Sequence, residues 1–528
     1  MPSRGIMKPS YADRRLRMFA VVLGLAAVCP PAAAAEVIAA ERLIDAYRLE
    51  EAARQVPGER AKTAAELYVQ GKFLFFSGDY AGAEPLLLQA IERNRTELDW
   101  KYLREQVRIS AQMTAAMVET QFPDGRMVFF HEDGPDSLLV SYAAETLLAQ
   151  GRALKALLGD EVPQIRVYIV PTVEKLSDLC GLPVEQIEAT GTVAVTRYNR
   201  IMLLSPRAVL NGYPWLDTLA HELVHMSVSR VSMNEAPIWL HEGVAKILES
   251  RWRDGLSGNM PPESAWLLDR AAREGRLLPL RKFHPSVSWL PSQEDAALAY
   301  AQVQSFLAWL ENRYLNNNGL RHLLERLAGG RTVEAVLKEL TGYEMKKLYR
   351  WWQEQLRGTR QAPAEMVPLM KRRYLKGESA PHGLADAALS DDARRYLRIG
   401  DLLRLRGHTA AAVEEYSLAM QGAEGMVPDV FDRLTGALLE LQRNDEALSI
   451  LEKAQAYYPW HSPVFLHLAQ VFIRRGDRTR AEAHLRQVIA LNPFHPDVHC
   501  LLADVYRGHD EKRAAMEKEH CLLIGKKN

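Results

Sequence analysis

The tightest constraint on how this chain can fold lies near its C-terminus. Ala447 and Ala481 stand 34 residues apart, and so do Pro459 and Pro493. A fixed period of that length, held by both a small residue and a helix breaker, describes a helical hairpin repeated in register. A hairpin that short cannot bury its own apolar face, so successive copies must stack. Gly476 and Asp477 supply turn residues. Tyr396, Gly400, Gly407, Ala412 and Ala419 fall in the same phase upstream after a one-residue slip, and Ala503, Tyr506 and Ala515 continue it downstream. Residues 391–528 are therefore expected to form three hairpins and a partial or capping fourth, with a concave face suited to a peptide or a partner helix.

The remainder needs other architecture, since 528 residues allow about three domains. Hydrophobic and charged fractions of 48% and 25% exclude wholesale disorder and a polytopic membrane protein. Lys plus Arg (66) balances Asp plus Glu (66), so no global field attracts nucleic acid, and partners must be recognised locally. Residues 36–118 are helix-patterned, most clearly around Gly71, Gly78, Tyr80, Ala83 and Ala90, where small residues let two antiparallel helices approach. Residues 119–357 differ. Short β-like runs stand at Arg126–Phe130, Ile165–Val170, Thr192–Val195 and Arg200–Leu204, with a helical pattern over Ser141–Leu158 and almost only helix after Trp215. The expected class is α+β. Residues 358–390, with Pro363, Pro368, Gly377, Pro381 and Gly383, read as a linker.

The N-terminus reads as an address. Arg14, Arg15 and Arg17 precede an apolar run from Met18 to Val28 that is short for a bilayer, and Ala32–Ala35 offer a small-residue cleavage site before Glu36. Residues 1–35 are thus expected to be a signal peptide, leaving no stable transmembrane segment and directing the protein to the bacterial periplasm or envelope. The mature chain then keeps Cys180, Cys500 and Cys521. That odd count permits at most one internal bridge, for which Cys500 and Cys521 are a candidate pair, and leaves at least one free thiol.

The chemistry concentrates in LDTLAHELVHM. On a helix His221 and His225 share a face and can reach one metal, while Glu222 points about 100° away toward the open coordination position. Two neutral imidazoles hold Zn²⁺, and a carboxylate outside the ligand set takes a proton from water and passes it to the leaving amine. About 0.03 such motifs are expected by chance in a chain of this composition. Apolar flanks at Leu216, Leu219, Ala220, Leu223 and Val224 fit a buried helix. A second helix is expected to start near Pro237 and to carry Glu242, with sixteen residues between it and His225, as third ligand. Gly243, lacking a side chain, is expected to let the backbone pack near the metal.

The segments HELVH and WLHEGVAKILE resemble the gluzincin branch of zinc metallopeptidases, the peptidase MA-like family and, more distantly, zinc aminopeptidases. That resemblance implies one Zn²⁺ per chain held by His221, His225 and Glu242, with Glu222 as general base. It further implies Glu249 as a carboxylate orienting a ligand histidine, Tyr300 as donor to the tetrahedral oxyanion, and the run from Thr192 to Pro206 as an edge strand that can take an extended peptide. The acidic amine-binding motif of the aminopeptidases has no counterpart, which points to an endopeptidase. The 34-residue units resemble tetratricopeptide (TPR) repeats, and so does the hairpin within residues 36–118. Together these imply a zincin-like metallopeptidase domain flanked by helical TPR segments, acting on a protein or peptide substrate and meeting a protein partner on the repeats. The alternative is a catalytically silent zinc-binding TPR scaffold in envelope assembly. Mn²⁺ or Co²⁺ could occupy the same ligands.

Overall fold

Val167, Tyr168, Ile169 and Val170 bury both faces of one strand, and Arg200–Leu204 bury a second throughout, so these two stretches belong in the middle of a covered sheet. In the computed structural model, which describes residues 32–58, 61–122, 125–253, 260–315, 318–358, 367, 369–375, 389–423 and 427–525, they pair in parallel. Five strands, β1 (Val118–Gln121), β2 (Met127–His131), β3 (Ile165–Val170), β4 (Ala194–Arg197) and β5 (Arg200–Leu204), lie in the order β1-β2-β3-β5-β4. The three central strands are parallel, and an antiparallel strand closes each side. The β4–β5 hairpin turns at Tyr198 and Asn199, both at positive φ, as a two-residue turn matched to the strand twist requires. β4 is thereby placed at an edge of the sheet.

Most of the expected signal segment, residues 1–31, lies outside the described residues, and Ala32–Ala35 form the start of α1 (Ala32–Asp45). After α2 (Leu49–Ala52), α3 (Ala64–Ser77) begins with a reciprocal Thr63–Glu66 cap and ends at Gly78 in the left-handed region. It packs on α4 (Tyr80–Arg93) at Gly71, where an added Cβ would stand 2.9 Å from Leu87. With α5 (Leu98–Ala115) this layer rests on the sheet. The contact is polar at its centre, where buried Arg200 donates to the Tyr80 hydroxyl (2.9 Å) and to Ser110 Oγ (2.8 Å).

Between strands run α6 (Leu139–Leu158), α7 (Val173–Cys180) and α8 (Val184–Thr190), and after the sheet the chain is helical. α9 (Trp215–Val231) packs against β4 and α6, α10 (Ile238–Leu248) against α9, and α12 (Gln293–Tyr314) against α10 and α11 (Pro262–Arg273). α13 (Gly319–Leu327), α14 (Val333–Thr341) and α15 (Met345–Gly358) complete this core. Among the described residues no helix is long and apolar enough to cross a membrane.

The C-terminal region forms four stacked hairpins: α16 (Asp391–Leu405) with α17 (Thr409–Gln421), α18 (Pro428–Glu440) with α19 (Asn444–Tyr457), α20 (Ser462–Arg474) with α21 (Arg478–Leu491), and α22 (Val498–Tyr506) with α23 (Glu511–Gly525). Ala412, Ala447 and Ala481 are fully buried at equivalent places. Cys500 and Cys521 form a disulfide that staples the last hairpin, and Cys180 is free and buried.

The repeats are docked on the preceding domain rather than tethered to it. Trp215 Nε1 donates to the Ile489 carbonyl (2.8 Å), Tyr213 N to that of Leu491 (2.9 Å) and Ser462 Oγ to that of Asn211 (3.0 Å). Gly212, at φ +72°, brings its backbone so close that an added Cβ would lie 2.1 Å from the Leu491 carbonyl oxygen, so only glycine fits. Part of the stretch read as a linker also binds. Tyr374 bridges Val209 in antiparallel fashion, flanked by Leu210 N to Arg373 O (2.9 Å) and Leu375 N to Ala208 O (2.8 Å).

Candidate metal centre

α9 contains no Gly or Pro between Trp215 and Val231 and is buried on almost every side, so its backbone is rigid where precision is needed. One turn separates His221 from His225, and their Nε2 atoms stand 3.1 Å apart. α10 approaches so that Glu242 Oε2 lies 3.4 Å from each of them. A tetrahedral ion with bonds of about 2.0–2.1 Å separates its ligands by roughly 3.3 Å. The three atoms thus outline one face of such a tetrahedron. Glu242 Oε2 is buried and makes no hydrogen bond, a costly arrangement for a carboxylate oxygen unless a cation meets it. Donor type, spacing and this orphaned oxygen all fit a zinc-type ion.

The surroundings prepare that set. Glu249, which follows the last turn of α10, places Oε2 2.9 Å from His221 Nδ1, leaving Nε2 for the ion, and its Oε1 accepts from Lys246 at 2.5 Å. Burial opposes ionisation of Glu249, but Lys246 and His221 outweigh it and hold the carboxyl low. Glu242 behaves alike: burial raises it, the charge of His225 and the contact with His221 lower it, and it ends well below the usual carboxylate range. For His221 burial disfavours the imidazolium, yet Glu242 and Glu249 hold it up at about 9. The two carboxylates thus set negative charge against the imidazole rings. His241, whose ring lies 5.7 Å from that of His225, is pushed down to about 3 by burial first and by His225 second, so it adds no charge.

Glu222 is buried on the same helix, its backbone carbonyl accepting from Thr196 Oγ1 of β4 at 2.9 Å. This bond ties the motif helix to the edge strand. Tyr300 comes from α12, its ring 6.1 Å from that of His221. Burial, then the charges of Glu242 and Glu222, push its hydroxyl well above the ordinary tyrosine range, so it stays a proton donor. His221, Glu222, Glu249 and Tyr300 all line one cavity of about 280 Å³, with Thr192, Val193 and Ala194 along its strand side.

Gly243 makes room for a helix: an added Cβ there would meet Leu307 Cδ2 at 3.1 Å and the Val303 carbonyl at 3.3 Å, so its missing side chain admits α12. Sequence reasoning also missed part of the cavity wall. Arg372 lines it from the bound segment after α15, fastened to Gln293 by hydrogen bonds of 2.7 and 3.0 Å, and Tyr458, Trp460 and His461 line it from the loop between α19 and α20. The recurring Pro459 was the one available signal, since it marks that loop in the repeat.

Comparison with known proteins gives two family matches: the Peptidase MA superfamily over residues 152–358 and a tetratricopeptide repeat over residues 438–505. No curated protein matches the chain. Solved structures similar to it include MamA (16% identity, 26% of this chain and 80% of that one, TM-score 0.24). Another is TTC0263, a thermophilic TPR protein in Thermus thermophilus (20% identity, 26% and 93%, TM-score 0.20). A third is yeast LTA4 hydrolase in complex with bestatin (12% identity, 77% and 67%, TM-score 0.28). The segment that carries His221, Glu222, His225 and Glu242 thus matches the Peptidase MA superfamily, and residues 438–505 of the stacked hairpins behind it match a tetratricopeptide repeat family.

Proposed function

We propose that the protein is a zinc-dependent endopeptidase of the bacterial envelope whose repeats help to hold a protein substrate or partner. The observation that carries this reading is the triangle of His221 Nε2, His225 Nε2 and Glu242 Oε2, with sides of 3.1, 3.4 and 3.4 Å. Zinc held there would act as a Lewis acid on the scissile carbonyl and acidify the attacking water. The chain's own residues do the rest. Glu222 takes the proton from that water and returns it to the leaving amine. Tyr300, kept protonated by its surroundings, donates to the oxygen on which charge develops. β4, an edge strand of the sheet among the described residues, offers an extended peptide main-chain partners beside the cavity. Export is supported by the cationic and apolar N-terminus together with the Cys500–Cys521 bridge, which suits an oxidising compartment.

The test combines metal analysis with turnover of an unfolded protein substrate such as casein. Glu222→Gln is expected to retain the zinc of this site and to lose at least about 10²-fold in kcat/KM, whereas His221→Ala loses both. Turnover by Glu222→Gln equal to wild type would remove the proposed base.

A further inference from the structure

The last repeat hairpin carries a second constellation of ligand-type side chains, far from the first in sequence. Each half of the disulfide stands next to a histidine, His499 beside Cys500 and His520 beside Cys521, and Glu517 lies one turn before His520 on α23. One nitrogen of each histidine and a carboxylate oxygen of Glu517 all lie within 4.8 Å of one another. His499 is fully buried and Glu517 nearly so.

The hydrogen bonds show where positive charge is needed. His499 Nε2 stands 2.7 Å from the Pro493 carbonyl, which can only accept, so the ring proton sits on Nε2. The other nitrogen, Nδ1, faces Glu517 Oε2 at 2.6 Å. A carboxylate also only accepts, so a neutral imidazole would set two lone pairs against each other. The contact therefore requires positive charge at this point, either a second proton on the His499 ring or a metal ion shared by the cluster. Tyr142, from α6 of the peptidase domain, donates to the other Glu517 oxygen at 2.8 Å, and His520 Nδ1 stands 3.8 Å from Oε2. The donor set, two histidines and one glutamate, repeats that of the first site, and separations of 2.6 and 3.8 Å bracket the roughly 3.3 Å edge of a tetrahedral zinc centre. The Pro493 carbonyl on the far nitrogen of His499 and the Tyr142 hydroxyl on the carboxylate are outer contacts of the sort that fix and orient metal ligands.

We propose that His499, Glu517 and His520 form a second zinc site, structural in role, which ties the terminal hairpin to the peptidase domain at Tyr142. The test is zinc content per chain, by elemental mass spectrometry on tag-free mature protein, for wild type, His221→Ala, Glu517→Gln and His520→Ala. Expected values are two, one, one and one, and added zinc should raise the melting temperature of His221→Ala but not of His221→Ala/Glu517→Gln. Zinc-loaded wild type holding one equivalent, with none in His221→Ala, would overturn the proposal and leave a shared proton between His499 and Glu517. Loss of zinc from Glu517→Gln and His520→Ala bears on this site alone, and loss from His221→Ala on the catalytic one, so either can fail without the other. His520, which is partly exposed, provides a variant that does not disturb the buried pair directly.

Discussion

Glu249 reaches the proposed metal set only through His221. Its carboxylate fixes which imidazole nitrogen is free, so Glu249→Gln should leave the fold intact and weaken zinc binding about 10- to 100-fold, as read by competition with a chromogenic chelator. Glu263, at the start of α11, poses a different problem. It lines the same cavity, is buried, and leaves Oε2 without a hydrogen bond. Burial raises it to about 7, with Lys246 opposing more weakly. A carboxyl whose folded pKa lies above its unfolded one contributes stability that is complete below about 4.5 and lost as pH rises through about 7. Glu263→Gln should therefore gain about 3 kcal/mol relative to wild type at pH 8 and little at pH 4, as measured by urea unfolding at both. A gain independent of pH would assign the effect to packing. At this scale the grouping of His221, His225 and Glu242 was legible, because the i, i+4 pair and a downstream helix suffice to bring them together. Glu263 was not, since its burial depends on helices distant in the chain.

At the scale of elements, two of the three central strands were readable because Ile165–Val170 and Arg200–Leu204 are each apolar but for one arginine. β1 was missed for the opposite reason. Val118–Gln121 has a single apolar residue, lies mostly exposed at the sheet edge and owes its conformation to β2 alone. The helix bearing Glu242 was also legible, but the purpose of its glycine was not, because a glycine announces close approach without saying what approaches. The contact itself makes a prediction. In Gly243→Ala the new methyl presses on Leu307 and on the Val303 carbonyl, which should cost about 1–3 kcal/mol and, by displacing neighbouring Glu242, weaken zinc binding as well. Denaturant midpoints with and without chelator separate the two effects. An unchanged midpoint would mean that α10 and α12 can part freely.

At the scale of the molecule, a 34-residue period announces a stack but not the surface on which the stack will rest. The docking runs through main-chain carbonyls of Ile489 and Leu491, which carry no side-chain signature, and nothing in the sequence singles out Gly212. The same holds for the segment around Tyr374, whose proline- and glycine-rich neighbourhood suggested a spacer. Removal of residues 391–528 would strip Trp215 Nε1 and Tyr213 N of their acceptors and uncover a fully buried indole. The truncated protein is expected to melt several degrees below the full chain and to show red-shifted tryptophan emission. Identical melting would show that the repeats lean on the peptidase domain without supporting it.

The loop of Tyr458, Trp460 and His461 gives the cavity a wall that belongs to the repeats. Whatever bends the superhelix therefore reshapes the chamber, and whatever fills the chamber resists that bending. Such coupling has no preferred direction: an occupant of the repeats that tightens the hold on a cavity ligand by some factor is itself held tighter by the same factor. Binding at the repeats and binding in the cavity would then be two readings of a single equilibrium.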